Sequence, residues 1–140
     1  MTQMFRAAIA VAAALLGAVA ADAANVTWLS TGTNMNSGTA VWSANPGTSD
    51  YGWLAGAGTG TNPYLSANMT LGGLYFSGTA SGWTVSGNSN ATLTLTAIGV
   101  SGSASAAVSS AATSGTNIVS ANLDLRPSTG TSGIYSTAGG

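Results

Sequence analysis

Apolar residues fall along this chain in short clusters separated by Ser, Thr, Asn and Gly. The clusters are Met69-Thr70-Leu71, Leu74-Tyr75-Phe76, Trp83-Thr84-Val85, Leu93-Thr94-Leu95, Ile98-Gly99-Val100, Ile118-Val119, Leu123-Asp124-Leu125 and Ile134-Tyr135. Several alternate with a period of two. In Thr92-Leu93-Thr94-Leu95-Thr96 the leucines face one side of an extended chain and the threonines the other, as a half-buried strand requires, and β-branched Thr suits a pleated surface. Between the clusters, Ser77-Gly78, Ser86-Gly87-Asn88-Ser89-Asn90 and Ser101-Gly102-Ser103 offer positive-φ positions and side-chain turns. No stretch after Ala23 carries a helical stripe. The Ala-rich residues 103–112 come nearest, but their interleaved Ser predicts a loop or a lateral strand. The pattern predicts an all-β protein.

The segment 1–23 follows a different pattern. Arg6 precedes an apolar run over residues 7–21, and Ala21-Asp22-Ala23 places small residues at both recognition positions of a signal peptidase, so residues 1–23 read as a secretory signal peptide. The run is short of the roughly 20 strongly apolar residues that a spanning helix needs, and no membrane span is expected after cleavage. Cleavage after Ala23 leaves 117 residues (140 minus 23), with the bonds after Ala20 and Ala24 as close competitors. An exported protein follows.

Ser, Thr, Asn and Gly make up 66 of those 117 residues, and only 29 are Val, Ile, Leu, Met, Phe, Tyr or Trp. Such a core is thin. A solenoid suits it, because each coil stacks on the next around a narrow interior column while polar residues line the turns. The intervals from Leu71 to Leu93 and from Leu93 to Ile118 are similar, and compatible with successive coils. The expected fold is therefore a single-stranded right-handed parallel β-helix with a β-sandwich as the alternative, since short strands between frequent turns describe both. No Cys is present, so backbone pairing and packing alone must hold it.

Charge narrows the chemistry further. After Ala23 there is no His, Cys, Lys or Glu, and the charged side chains are Asp50, Asp124 and Arg126. Proton transfer at neutral pH, nucleophile activation and transition-metal binding draw on the missing residue types, so no enzyme activity, catalytic residue, cofactor or metal site is expected. One Arg gives no basic stripe, which excludes nucleic acid as a partner. Asp124 and Arg126, two apart on a strand, predict a weak surface ion pair. Gly56-Ala57-Gly58-Thr59-Gly60 has no following Lys and reads as a turn rather than a phosphate loop.

Residues 24–66 hold Trp28, Trp42, Trp53, Tyr51 and Tyr64 between turns at Asn45-Pro46-Gly47 and Asn62-Pro63. These aromatics are expected mainly to cap the first coil, whose backbone and apolar side chains would otherwise lie open. The same five residues are the candidates for stacking on sugar rings, which would make surface glycans a partner. Residues 67–140 are then the coils. Their partners would be further coils of a longer chain, or a second molecule bound through the open end.

The run Leu71-Gly72-Gly73-Leu74-Tyr75-Phe76-Ser77-Gly78, with Gly82-Trp83-Thr84-Val85-Ser86-Gly87, Ala91-Thr92-Leu93-Thr94-Leu95-Thr96, Ile98-Gly99-Val100 and Ile118-Val119-Ser120-Ala121-Asn122-Leu123-Asp124-Leu125, resembles the N-terminal part of bacterial proteins with autotransporter-associated β-strand repeats. Val26-Thr27-Trp28 and Ala40-Val41-Trp42 resemble that family's Trp-rich opening. The resemblance covers about half the chain and implies a gently twisting parallel β-helix in an exported, non-enzymatic passenger or cell-surface protein, with a structural or adhesive role. The family's recurring Gly-x-Gly-x-Leu-x-Leu signature and its outer-membrane translocator do not occur in these 140 residues. A secreted carbohydrate-binding module is the alternative.

Overall fold

A computed structural model describes residues 23–58, 61–96, 106–126 and 133–136. Residues 1–22, all but the last residue of the segment expected to be a signal peptide, lie outside the described residues, as do the cluster Ile98-Gly99-Val100 and the turn Ser101-Gly102-Ser103. The described residues form eleven strands: β1 (Asn25–Thr27), β2 (Tyr51–Leu54), β3 (Tyr64–Leu65), β4 (Met69–Leu71), β5 (Gly73–Phe76), β6 (Thr84–Gly87), β7 (Thr92–Leu95), β8 (Ala106–Ser110), β9 (Ile118–Val119), β10 (Asn122–Leu125) and β11 (Gly133–Ser136). From β2 onward the chain visits three walls in rotation. The first wall is β1-β2-β5-β8-β11, the second β3-β6-β9 and the third β10-β7-β4.

All eight strand pairs among the described residues are parallel. The molecule is a parallel β-helix of about four turns. The β-sandwich alternative fails, because its sheets are antiparallel. Residues 103–112 supply β8, the lateral strand, over Ala106–Ser110.

The register shows why the strands form where they do. On the third wall Met69, Leu93 and Leu123 stack in one column and Leu71, Leu95 and Leu125 in another, while Thr70, Thr94 and Asp124 point outward. Leu71, Leu93 and Leu95 are fully buried. Each such side chain is worth about 1.5–3 kcal/mol relative to exposure. On the first wall Leu54 stacks on Phe76 and Leu74 on Val108, all buried.

The spacing inferred from the clusters is corrected by this register. Leu71 lies beside Leu95 rather than Leu93, and Ile118 lies beside Thr84 on the second wall. Coils are unequal: the step along the chain from Leu74 to its partner Val108 is much longer than the step from Tyr51 to its partner Gly73. The strands of the longer coil nonetheless pair in register with those of the coil before it, so distance along the chain is a poor guide to stacking.

Coiling also begins before residue 67, the expected start. β1, β2 and β3 lie within 24–66, and β2 and β3 pair in register with β5 and β6 of the next coil. What remains outside the walls is mainly the Met35–Ala40 3-10 segment, kinked at Gly38, and the loop that follows it.

Candidate functional site

Trp28 and Trp42 form the centre of the N-terminal end. Their rings meet edge to face with centroids 4.9 Å apart, and both are buried. The Trp42 indole N–H donates to the Met35 carbonyl at 3.0 Å, and the Trp28 indole N–H to the Thr61 carbonyl at 3.1 Å. Both rings therefore bury their area without losing a hydrogen bond.

Space for Trp42 comes from Gly52. A Cβ on Gly52 would stand 3.1 Å from Trp42 Cη2, 3.2 Å from Leu71 Cδ1 and 3.3 Å from Leu74 Cδ1. A short antiparallel crossing closes the outer edge of β1. There the Leu29 N–H donates to the Val41 carbonyl and the Ser43 N–H to the Thr27 carbonyl, each at 2.8 Å, around the Trp28–Trp42 bridge.

The five aromatics named as sugar-stacking candidates do not gather on one surface. Trp28, Trp42 and Tyr51 are buried, and Tyr64 is exposed on the second wall. Trp53 faces outward on the first wall, half-buried, beside a residue that the sequence pattern places only within a strand. That residue is Tyr75, its register partner, with ring centroids 4.1 Å apart and planes tilted by 32°. The period of two in Leu74-Tyr75-Phe76 carries the signal for it, because burying Leu74 and Phe76 turns Tyr75 outward.

Corner residues use their side chains to join coils. Asn36 Oδ1 accepts from the Ser66 N–H, the Ala67 N–H and Ser66 Oγ, each at 3.1 Å. Asn68 Oδ1 accepts from the Thr92 N–H at 2.9 Å, Asn88 Nδ2 donates to the Ser66 carbonyl at 2.7 Å, and Asn122 Nδ2 donates to the Ser89 and Ala91 carbonyls. At another corner Asn62 and Asn117 accept from the backbone N–H groups of Thr84 and Trp83. Where the backbone turns and strand pairing stops, an amide that both donates and accepts satisfies the next coil's peptide groups.

Charged groups are sparse and occupied. Arg126 Nε lies 2.6 Å from Asp124 Oδ2, with the Arg side chain 74% exposed, so the expected ion pair forms where solvent weakens it to about 0–1 kcal/mol. Asp50 accepts backbone N–H groups with both oxygens: Gly47 at 2.7 Å and Ala24 at 3.0 Å. The Gly56 turn is tied to the next coil, since its carbonyl accepts the Trp83 indole N–H at 2.9 Å. Among the described residues no helix is long and apolar enough to cross a membrane, and no group of three or more metal-binding side chains converges.

The chain matches no family model, no curated protein and no solved structure.

Proposed function

We propose that the protein is exported, is not an enzyme, and serves as a stiff β-helical element of a secreted or surface-displayed passenger protein of the autotransporter-associated repeat kind, with an adhesive role. The observation that carries this reading is the use made of the polar residues. Asn36, Asn62, Asn68, Asn88, Asn117 and Asn122 bind the backbone of neighbouring coils, so a composition rich in amides serves to build a rod. The test is expression of the full chain, epitope-tagged at Gly140, in an exporting bacterium, followed by fractionation. Recovery outside the inner membrane supports export, and retention in the cytoplasm refutes it.

One observation favours a second reading. Trp53 and Tyr75 form a half-exposed aromatic pair on the outside of the first wall, where neutral sugar rings could stack. Titrating neutral glycans while following Trp fluorescence separates the two. A saturable change that disappears in Trp53→Ala would replace the structural reading with a carbohydrate-binding one.

A further inference from the structure

The backbone nitrogen of Ala24 lies 3.0 Å from Asp50 Oδ1, which accepts its N–H. Asp50 is the sole acidic side chain between residues 24 and 123. Its position is set by the tight turn before β2: the Asp50 N–H donates to the Gly47 carbonyl at 3.2 Å, and Oδ2 accepts the Gly47 N–H at 2.7 Å. That leaves Oδ1 directed at Ala24. The contact lies one residue before β1, where the Tyr51 N–H donates to the Ala24 carbonyl at 2.8 Å and so continues the pairing of β1 with β2.

This nitrogen is the one that peptidase cleavage after Ala23 would free. We propose that the Ala23–Ala24 bond is the processing site and that Asp50 is the receptor for the α-ammonium group created there. The inference rests on the export reading above. In the cleavage, water breaks the Ala23–Ala24 C–N bond. Its hydroxyl goes to the Ala23 carbonyl carbon and its hydrogen to the Ala24 nitrogen; the new carboxyl group then yields its proton, leaving a carboxylate on Ala23 and an ammonium on Ala24. The N–H···carboxylate bond, charged only on its acceptor side, becomes an ion pair in which donor and acceptor are both charged. Ala24 is exposed, so the remaining ammonium protons stay hydrated.

The competing bonds fit the geometry less well. Cleavage after Ala20 leaves Ala24 a neutral amide behind a short tail. Cleavage after Ala24 removes both the nitrogen bound by Asp50 and the carbonyl bound by Tyr51. The other charged side chains among the described residues, Asp124 and Arg126, pair with each other. Asp50 is thus the group that faces the new terminus from the turn packed against it.

The experiment is expression of the full precursor in an exporting bacterium, with N-terminal sequencing and intact mass of the product. A product beginning at Ala24 is expected. A product cut at another bond overturns this inference and leaves export standing, whereas an uncut cytoplasmic product overturns both. The processed protein is then labelled at its α-amine by reductive methylation with ¹³C-formaldehyde and titrated by NMR. The amine is expected to hold its proton above the ordinary range of about 7.7–8.0, by roughly half to one pH unit, and to return toward that range in Asp50→Asn. Molar salt, with a screening length of about 3 Å, should reduce the shift in the unsubstituted protein, an arm that stands if Asp50→Asn does not fold. An α-amine titrating in the ordinary range in low salt overturns the receptor role.

Discussion

Replacing Gly52 with Ala tests how tightly the N-terminal end is packed. Gly52 is on β2, is buried, and does not have the positive φ that glycine alone tolerates well. On backbone grounds the substitution should stabilise by about 0.4–1 kcal/mol, through lost freedom of the unfolded chain. Packing opposes this. The added methyl group would approach Trp42 Cη2, Leu71 Cδ1 and Leu74 Cδ1 at 3.1, 3.2 and 3.3 Å, three fully buried neighbours on three sides. Overpacking of this kind costs typically about 1–3 kcal/mol, so the net expectation is destabilisation by about 1–2 kcal/mol.

Urea unfolding followed by far-UV circular dichroism should show the midpoint falling by about 0.5–1 M with an unchanged slope. Trp42→Phe, which shortens the ring facing Gly52, should itself destabilise. Combined with Gly52→Ala, it should cost less than the two separate effects added, by about 0.5–1.5 kcal/mol. A Gly52→Ala protein as stable as its parent, or strictly additive double substitutions, would refute the account of Trp42 seated on a glycine.

Gly72→Ala should be worse, because its Cβ would overlap the Ser49 carbonyl oxygen, a backbone atom that cannot rotate away; a loss above about 3 kcal/mol, or failure to fold, is expected from thermal melts. Asn36→Ala strands the Ser66 and Ala67 N–H groups that its amide oxygen accepts, and should cost about 0.5–1.5 kcal/mol in the same urea assay, since water partly replaces it at this exposed corner. Arg126→Ala should change stability by less than about 0.5 kcal/mol, in low or high salt, because the Asp124 pair is solvated.

Much of the fold was legible in the sequence where one face of a strand is buried and the other is not. Leu93 and Leu95 between threonines announced β7, and β4 and β10 lie on clusters recognisable in the same way. Register was not legible, because the number of residues per coil varies and Ile118 consequently lies beside Thr84. β2 was hidden for another reason. Tyr51-Gly52-Trp53-Leu54 alternates an outward aromatic with a glycine that faces inward, and Gly52 contributes no apolar signal although its position is a core position filled by Trp42. The outward pair of Trp53 and Tyr75 was half visible: Trp53 stood out as an aromatic, but finding its partner on the next coil required the register. The corner amides were visible only as composition, since nothing local in Asn36 or Asn122 shows which backbone it will meet.

The antiparallel crossing that seals the outer edge of β1 gives the molecule a direction. Gene duplication could lengthen it by copying a coil in the interior or on the side remote from Trp28. A coil copied ahead of Asn25 would instead meet a strand whose outer edge is already hydrogen-bonded at Thr27, with a tryptophan where its own interior residues would have to go.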